Sequence, residues 1–432
     1  MSKHRLIAAA LLAATVAALV GVSTAASARH ATTVSVMAVW TGAEQKSFEA
    51  VLAGFTKKNP GVKVKYTSGG DQMPTVLATA VQGGNPPDVA ILAQPGLMTD
   101  FVKKGSLKPL TFLGPTMKAN FAPVWAKLGQ VNGKQYGLIW KGANKSTVWY
   151  NVASFKSAGV AAPKTWPQLL NAAKTLKASG TDAFSIGGAD GWTLTDLFEN
   201  LYLRTYGQAK YQALSAHTIK WTDPSVTATL KDMSQIFSDS GNLAGGSAGA
   251  IQNGFNDSVT NAFSDPPKGA MVFEGDFVAG VILSSTKAKP KTGFNAAPFP
   301  AVKSGPNANA VEIGGDLFVT FKDTPAIQAF VKFLASRGAA EAWAKQGGFG
   351  TGNKNVPASI YPDAITRATE APIGQATSVV FDMSDEQPAS FGSTTGQGEW
   401  GIFQDFLKNP SDVNGTASKL ESAAAAAYKS GK

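Results

Sequence analysis

The chain has 432 residues, 44% hydrophobic and 16% charged, enough for two or three domains with sizeable cores. Gly and Pro total 68 residues, well under the roughly 25–30% that marks low-complexity chains, and cysteine is absent. That absence excludes disulfide scaffolds, Cys-ligated zinc, iron–sulfur clusters, thiol catalysis and a lipobox anchor together. The net charge is +10, yet the longest basic runs are Lys57-Lys58 and Lys103-Lys104, so no clustered charge suggests a nucleic-acid groove.

The N-terminus reads as a targeting segment. Lys3, His4 and Arg5 form a positive start, and Leu6 to Val20 is apolar except for Thr15. That run is short of the about 20 residues a membrane span needs, and Ala26-Ser27-Ala28 offers a signal-peptidase site. Cleavage after Ala28 removes Lys3 and Arg5 and leaves a mature charge of +8. The expectation is an exported protein, periplasmic or extracellular, without a cysteine-linked lipid.

Strand and helix signals then alternate. Val34, Val36, Val39 and Trp40 sit in a β-rich run, followed by Phe48, Val51, Leu52 and Phe55 at helical spacing. Asn59-Pro60-Gly61 breaks that helix, and Val62, Val64 and Tyr66 alternate as a second strand. Val76, Leu77, Ala80 and Val81 give another helical face, Asp88 to Leu92 a short buried strand, and Leu97 to Val102 a helix stopped at Gly105. Such alternation implies parallel βαβ units with ligands at the carboxyl ends of the strands.

A second region begins near residue 145 with a strand over Ser146 to Tyr150. Thr165, Pro167 and Gln168 predict an N-cap, a first-turn proline and a capping box, with Gly180 beyond the helix end. Another helix starts at Trp192, while Gly245 to Gly249 and Lys287 to Pro300 read as loop and polar connection. Leu317 to Phe321 is strand-like, Thr324-Pro325 opens a helix, and Ala417 to Tyr428 is helical by composition.

Seven segments in order carry a resemblance. They are Phe55 to Val64, Gly83 to Val89, Trp149-Tyr150-Asn151, Pro163 to Trp166, Gly191 to Asp196, Glu312 to Asp316 and Phe381 to Asp385. In these the chain resembles the extracellular solute-binding proteins of ABC sugar importers, most nearly the α-glucoside-binding branch, from Val34 to about Leu407. The resemblance implies an α/β, two-lobed periplasmic-binding-protein fold of type II, a Venus flytrap whose hinge the chain crosses more than once. On that pattern residues 29–143 and 301–350 form one lobe, and 144–300 and 351–432 the other. It also implies a small oligosaccharide ligand, ABC permease transmembrane subunits as partners, a monomer, and no cofactor or metal.

A sugar site needs aromatic faces for C–H patches and fixed polar groups for hydroxyls. Trp192 begins a helix beside three glycines, with Asp196 one turn on and Glu199 beyond it as a weaker candidate for a sugar contact. Trp40 and Glu44 follow the first strand, Asp71 the second and Gln94 the third, the expected ligand rim; Glu44 also suits a helix's first turn. Lys145 sits at the expected hinge crossing, free to bond hydroxyls or pair with an acid. Glu274 and Phe277 follow an apolar run, and by resemblance Phe277 stands where related binders place an aromatic platform and Glu44 where they place a sugar-contacting acid. Gly314 and Gly315 permit close backbone approach; Asp316 stands where some relatives carry Trp. Asp385, beside Asp382, lies on a polar loop able to close over a sugar.

Enzymatic alternatives find little support. Gly245-Gly246-Ser247-Ala248-Gly249 matches a hydrolase string, but that fold needs a histidine after the serine and none follows His217. No pair of carboxylates is nominated for glycoside hydrolysis. A glycoside hydrolase and a binder of another polar solute, such as an anionic sugar, stand as alternatives to the α-glucoside reading.

Overall fold

The computed structural model describes residues 31–430, so the expected signal peptide at 1–28 lies outside the described residues. In chain order the strands are β1 (Thr32–Ala38), β2 (Val62–Ser68), β3 (Val89–Leu92), a ribbon of β4 (Gln130–Val131) and β5 (Lys134–Gln135), β6 (Gly137–Asn144), β7 (Thr147–Asn151), β8 (Met271–Phe273), β9 (Phe294–Pro298), β10 (Glu312–Thr320) and β11 (Val380–Phe381). The first sheet holds β1, β2, β3, β6, β10 and β11; the second holds β7 between β8 and β9. β1 lies parallel to β2 and β3, with Val36 opposite Tyr66 and Val89. β10 runs antiparallel to β3 and β6, with Phe318 opposite Ile91 and Leu138. β3 and β10 are buried along their whole length, the pattern of strands covered on both faces.

Each sheet has its own core. Val34, Phe48, Ile91, Leu138 and Phe318 belong to one; Val148, Leu169, Phe198, Met271 and Phe403 belong to the other. The chain passes between the sheets from β6 to β7, from β9 to β10, and from β11 to the helix Met383–Glu386. At this last passage Phe381 packs in the first core and Met383 in the second. Tyr361 and Ile373, which the sequence division puts in the second lobe, pack in the first core, because β11 after them pairs with β10.

Several local expectations change. Val76 is 42% exposed, because its helix begins at Met73 and buries Met73, Pro74 and Leu77 instead. Thr165 does accept from Gln168 N–H, but the Gln168 carboxamide accepts from Lys164 N–H, so the box is not reciprocal. The glycine run after Gly245 is a short helix, Gly246–Gln252, entered through the left-handed Gly245. The polar connection contains β9, whose Phe294 alone is fully buried. β10 begins five residues before the expected Leu317, since Gly314-Gly315-Asp316 hides a strand that lies against β6.

Candidate functional site

The loops after β1, β2 and β3 converge on one edge of the first sheet, opposite the second core, around an open cleft. Trp40, Glu44, Asp71, Gln94, Gly315 and Asp316 line it from the first sheet's side. Trp192, Phe277 and Asp385 face them, and Lys145 stands at the crossing between. Asp196 and Glu274 are fully buried behind this wall. The remaining ten residues expected from sequence are thus brought together, along with Lys141, Phe255, Ser384 and Trp400, which were not expected.

The floor is built on tryptophan. Trp40 is 1% exposed, its ring 4.7 Å from Trp343 and 4.8 Å from Phe48, so its face serves the core. Its Nε1 donates to Asp316 Oδ2 at 2.9 Å and so orients that carboxylate toward the cleft. Lys141 Nζ lies 2.7 Å from Glu44 Oε1, 3.5 Å from Asp316 Oδ2 and 5.1 Å from the Phe277 ring centre. A lysine directly after the apolar run Leu138-Ile139-Trp140 was the available signal, since a buried cation needs a partner. Beside Gly314 the space that a Cβ would fill is taken by Lys145 Cε, 2.5 Å away, so this glycine serves lysine packing.

The opposite wall is aromatic. Gly191 has φ +82°, and a Cβ there would come within 2.6 Å of Trp400 Cβ; only glycine turns the chain this tightly into the helix at Trp192. The Trp192 ring sits 5.3 Å from Phe255 and 6.0 Å from Phe277. Across the cleft, Trp192 Nε1 donates to Asp71 Oδ1 at 3.2 Å and Gln94 Nε2 to Asp385 Oδ1 at 3.0 Å. Thr395 Oγ1 adds a bond to the Asp71 carbonyl at 3.0 Å. The two sides of the cleft are therefore in contact.

Lys145 ties the crossings together. Its ammonium bonds Asp196 Oδ1 at 3.0 Å and Asp382 Oδ2. Asn200 Nδ2 donates to the Lys145 carbonyl, and to Glu312 Oε2 at 2.9 Å. Glu199, weighed as a weaker sugar contact on sequence, instead accepts from Tyr211 and from the Met383 and Ser384 N–H groups, capping the third crossing. Asp196, Glu312 and Asp382 bring carboxylate oxygens within 4.8 Å of one another, and the Lys145 ammonium bonds two of these acids.

Residues 40–341 match the family model described as bacterial extracellular solute-binding protein. The chain belongs to that family. This solute-binding protein is 32% identical over 368 residues to the osmoprotective compounds-binding protein GgtB of Synechocystis, covering 84% of this chain and 86% of that one. It is also 32% identical over 376 residues to the alpha-glucosides-binding periplasmic protein AglE of Rhizobium meliloti, covering 84% and 81%. Its fold matches the bacterial solute receptor AcbH with a TM-score of 0.80 at 19% identity, covering 93% of this chain and 100% of that one. The protein is therefore a solute-binding component of the ABC-importer class with the periplasmic-binding-protein fold, and not an enzyme.

The solute-binding protein's buried acids are unevenly charged. Burial pushes Asp196 up to about 7, against the pull of Lys145. Burial also raises Glu274 well above the usual range, and the neighbouring Asp196 carboxylate adds to the rise. Asp382 feels the same burial, but Lys145 and the Asp385 N–H outweigh it and hold Asp382 below its ordinary value. Asp276 and Glu386 are likewise pushed by burial up to about 7. An acid raised in the folded state holds a proton that the unfolded chain has lost, so its stabilisation is full below about pH 4 and disappears as pH rises through 7. The melting temperature at pH 5.5 is expected to exceed that at pH 8 by a few degrees. A calorimetric scan with the opposite order would show that these carboxyls are ionised in the fold.

Proposed function

We propose that this protein captures a small, neutral, α-glucoside-like oligosaccharide in the cleft and delivers it to the transmembrane subunits of an importer. We assign residues 31–144 with 312–381 to one lobe and 147–298 with 383–430 to the other, closing about the Lys145 crossing. The observation that carries the reading is the charge state of the cleft. Both of its cations are already satisfied: Lys141 by Glu44 and Asp316, Lys145 by Asp196 and Asp382. Among the described residues no arginine lines the cleft, so an anionic sugar would meet carboxylates without a free positive partner. Neutral hydroxyls suit the same carboxylates as charge-assisted donors, and the Trp192, Phe255 and Phe277 faces suit pyranose C–H patches. An osmoprotective solute is the second reading, favoured by the equal identity to GgtB and AglE.

A thermal-shift panel of maltose, trehalose, sucrose and glucuronate tests this. A matching neutral glucoside at 100 times its Kd adds about 2.7 kcal/mol of stability. It should also shrink the radius of gyration in solution scattering and be recovered chemically intact. Stabilisation by glucuronate alone would overturn the neutral-sugar reading.

A further inference from the structure

From Phe101 to Thr181 the chain contains no Asp or Glu, although lysines recur throughout. The fold gathers part of this stretch onto one end of the first sheet's unit. Lys108 N–H donates to the carbonyl of Thr320, the last residue of β10, at 2.8 Å. Leu110 N–H donates to Gln135 O at 2.8 Å, setting Lys134 of the β4–β5 ribbon alongside. Gln135 Nε2 bonds Ala126 O at 2.8 Å, which brings in Lys127. Lys354 N–H bonds Asn120 O at 2.8 Å and its Nζ reaches Lys118 O, while Lys332 lies 5.6 Å from the Phe112 ring centre.

These six lysines are all exposed, and none makes an ion pair among the described residues. The acids nearest these lysines are engaged elsewhere: Asp100 faces Lys103 and Lys104, Asp323 accepts from Gln328, Glu341 pairs with Arg337, Asp363 caps its own helix, and Asp88 beside Thr320 pairs with Lys322. We propose that this face adsorbs to an anionic phospholipid surface and holds the protein beside the membrane. Lysine ammonium groups are point charges that suit a field of headgroups and do not impose a bidentate geometry. The six belong to several elements, and none of them lines the solute cleft, so the face meets a plane better than it cradles a strand. The two large exposed apolar residues among the described residues, Val76 and Val311, lie outside this segment, so the contact is electrostatic and does not require insertion. With no cysteine in the chain, a thioether-linked lipid cannot supply the contact.

The placement also fits the mechanism. Glu312 begins β10 at the crossing and Thr320 ends it; at about 3.4 Å per residue Lys108 lies roughly 27 Å from the crossing. Adsorption through that end leaves the cleft open to solute and the other lobe free to move.

Co-sedimentation of the mature protein with vesicles tests the proposal. Vesicles containing about 30 mol% phosphatidylglycerol in phosphatidylcholine should bind it at low salt and release it at about 0.5 M salt; pure phosphatidylcholine should not bind it. The combined variant Lys108→Gln, Lys118→Gln, Lys127→Gln, Lys134→Gln should lose at least about 30-fold in partition, since each lysine near such a surface is worth roughly fivefold. A control with the same charge loss on the other lobe, Lys156→Gln, Lys164→Gln, Lys174→Gln, Lys220→Gln, should lose less than about threefold. Sugar affinity in both should be unchanged. Equal losses in the two variants would reduce the effect to net charge and overturn the proposal. Patch-dependent binding to inorganic polyphosphate without vesicle binding would overturn the membrane surface in favour of a soluble polyanion.

Discussion

Replacing Lys145 by methionine is expected to destabilise the fold by about 3–5 kcal/mol at pH 8, the cost typical of stripping one partner from a buried ion pair. The side chains of Lys145, Asp196 and Asp382 are 9%, 3% and 1% exposed, so water cannot replace the ammonium. Glu312, Asp385 and Glu274 also feel the charge of Lys145, which lowers the cost of burying each of them. The loss should also depend on pH. Without Lys145, burial lifts Asp382 above its unfolded value, so the penalty is present at high pH and fades as pH falls and the carboxyl takes a proton. Urea unfolding at pH 8 and pH 5.5 measures both effects, with the smaller cost at pH 5.5. The double variant Lys145→Met, Asp382→Asn should recover a large part of the stability, because no unpaired charge is left. A cost under about 1 kcal/mol, equal at both pH values, would mean that Lys145 is not the strut of the crossings.

The sheet of the first unit was legible because its signals are local. Alternation at Val62, Val64 and Tyr66, the break at Asn59-Pro60-Gly61 and the stop at Gly105 all depend on neighbours in sequence. The cleft's edge followed from topology: carboxyl ends of parallel strands share an edge, which places Trp40, Asp71 and Gln94 together. What stayed hidden depends on partners far along the chain. Glu199 looks like a surface acid about two turns into a helix, and only Met383 and Ser384, over 180 residues later, show that it holds backbone N–H groups. Lys141 reads as an interruption of a strand until Glu44 and Asp316 arrive from two other elements. Asp196 shares the helix of Trp192, yet four residues turn it toward Lys145 and away from the cleft lining. Asp196→Asn should therefore register first in stability. The division after residue 350 failed to register β11, whose two residues are too few to read as a strand.

Replacing Trp192 by alanine is expected to weaken solute binding by about 1–3 kcal/mol, roughly 5- to 150-fold in Kd, as loss of an aromatic anchor does. The half-buried ring lines the cleft and rests on Phe255 and Phe277, so it is held in place before solute arrives. It also donates to Asp71 from the far side of the cleft, which gives it a second way to act. Trp192→Phe separates the two. Phenylalanine keeps an apolar face and loses the Nε1 donor, so a loss confined to the cross-cleft bond should be about 0.5–1.5 kcal/mol, near 2- to 12-fold. If Phe restores most of the affinity lost in Ala, stacking on the sugar dominates. If Phe and Ala are equally weak and both fail to compact on ligand in solution scattering, the bond to Asp71 is what holds the lobes together. Unchanged affinity in Trp192→Ala, with an intact circular dichroism spectrum, would move the anchor to Phe255, Phe277 and Trp400. That wall would then bind through rings which no cross-cleft hydrogen bond reaches, and closure would rest on the bonds of Gln94 to Asp385 and of Thr395 to the Asp71 carbonyl.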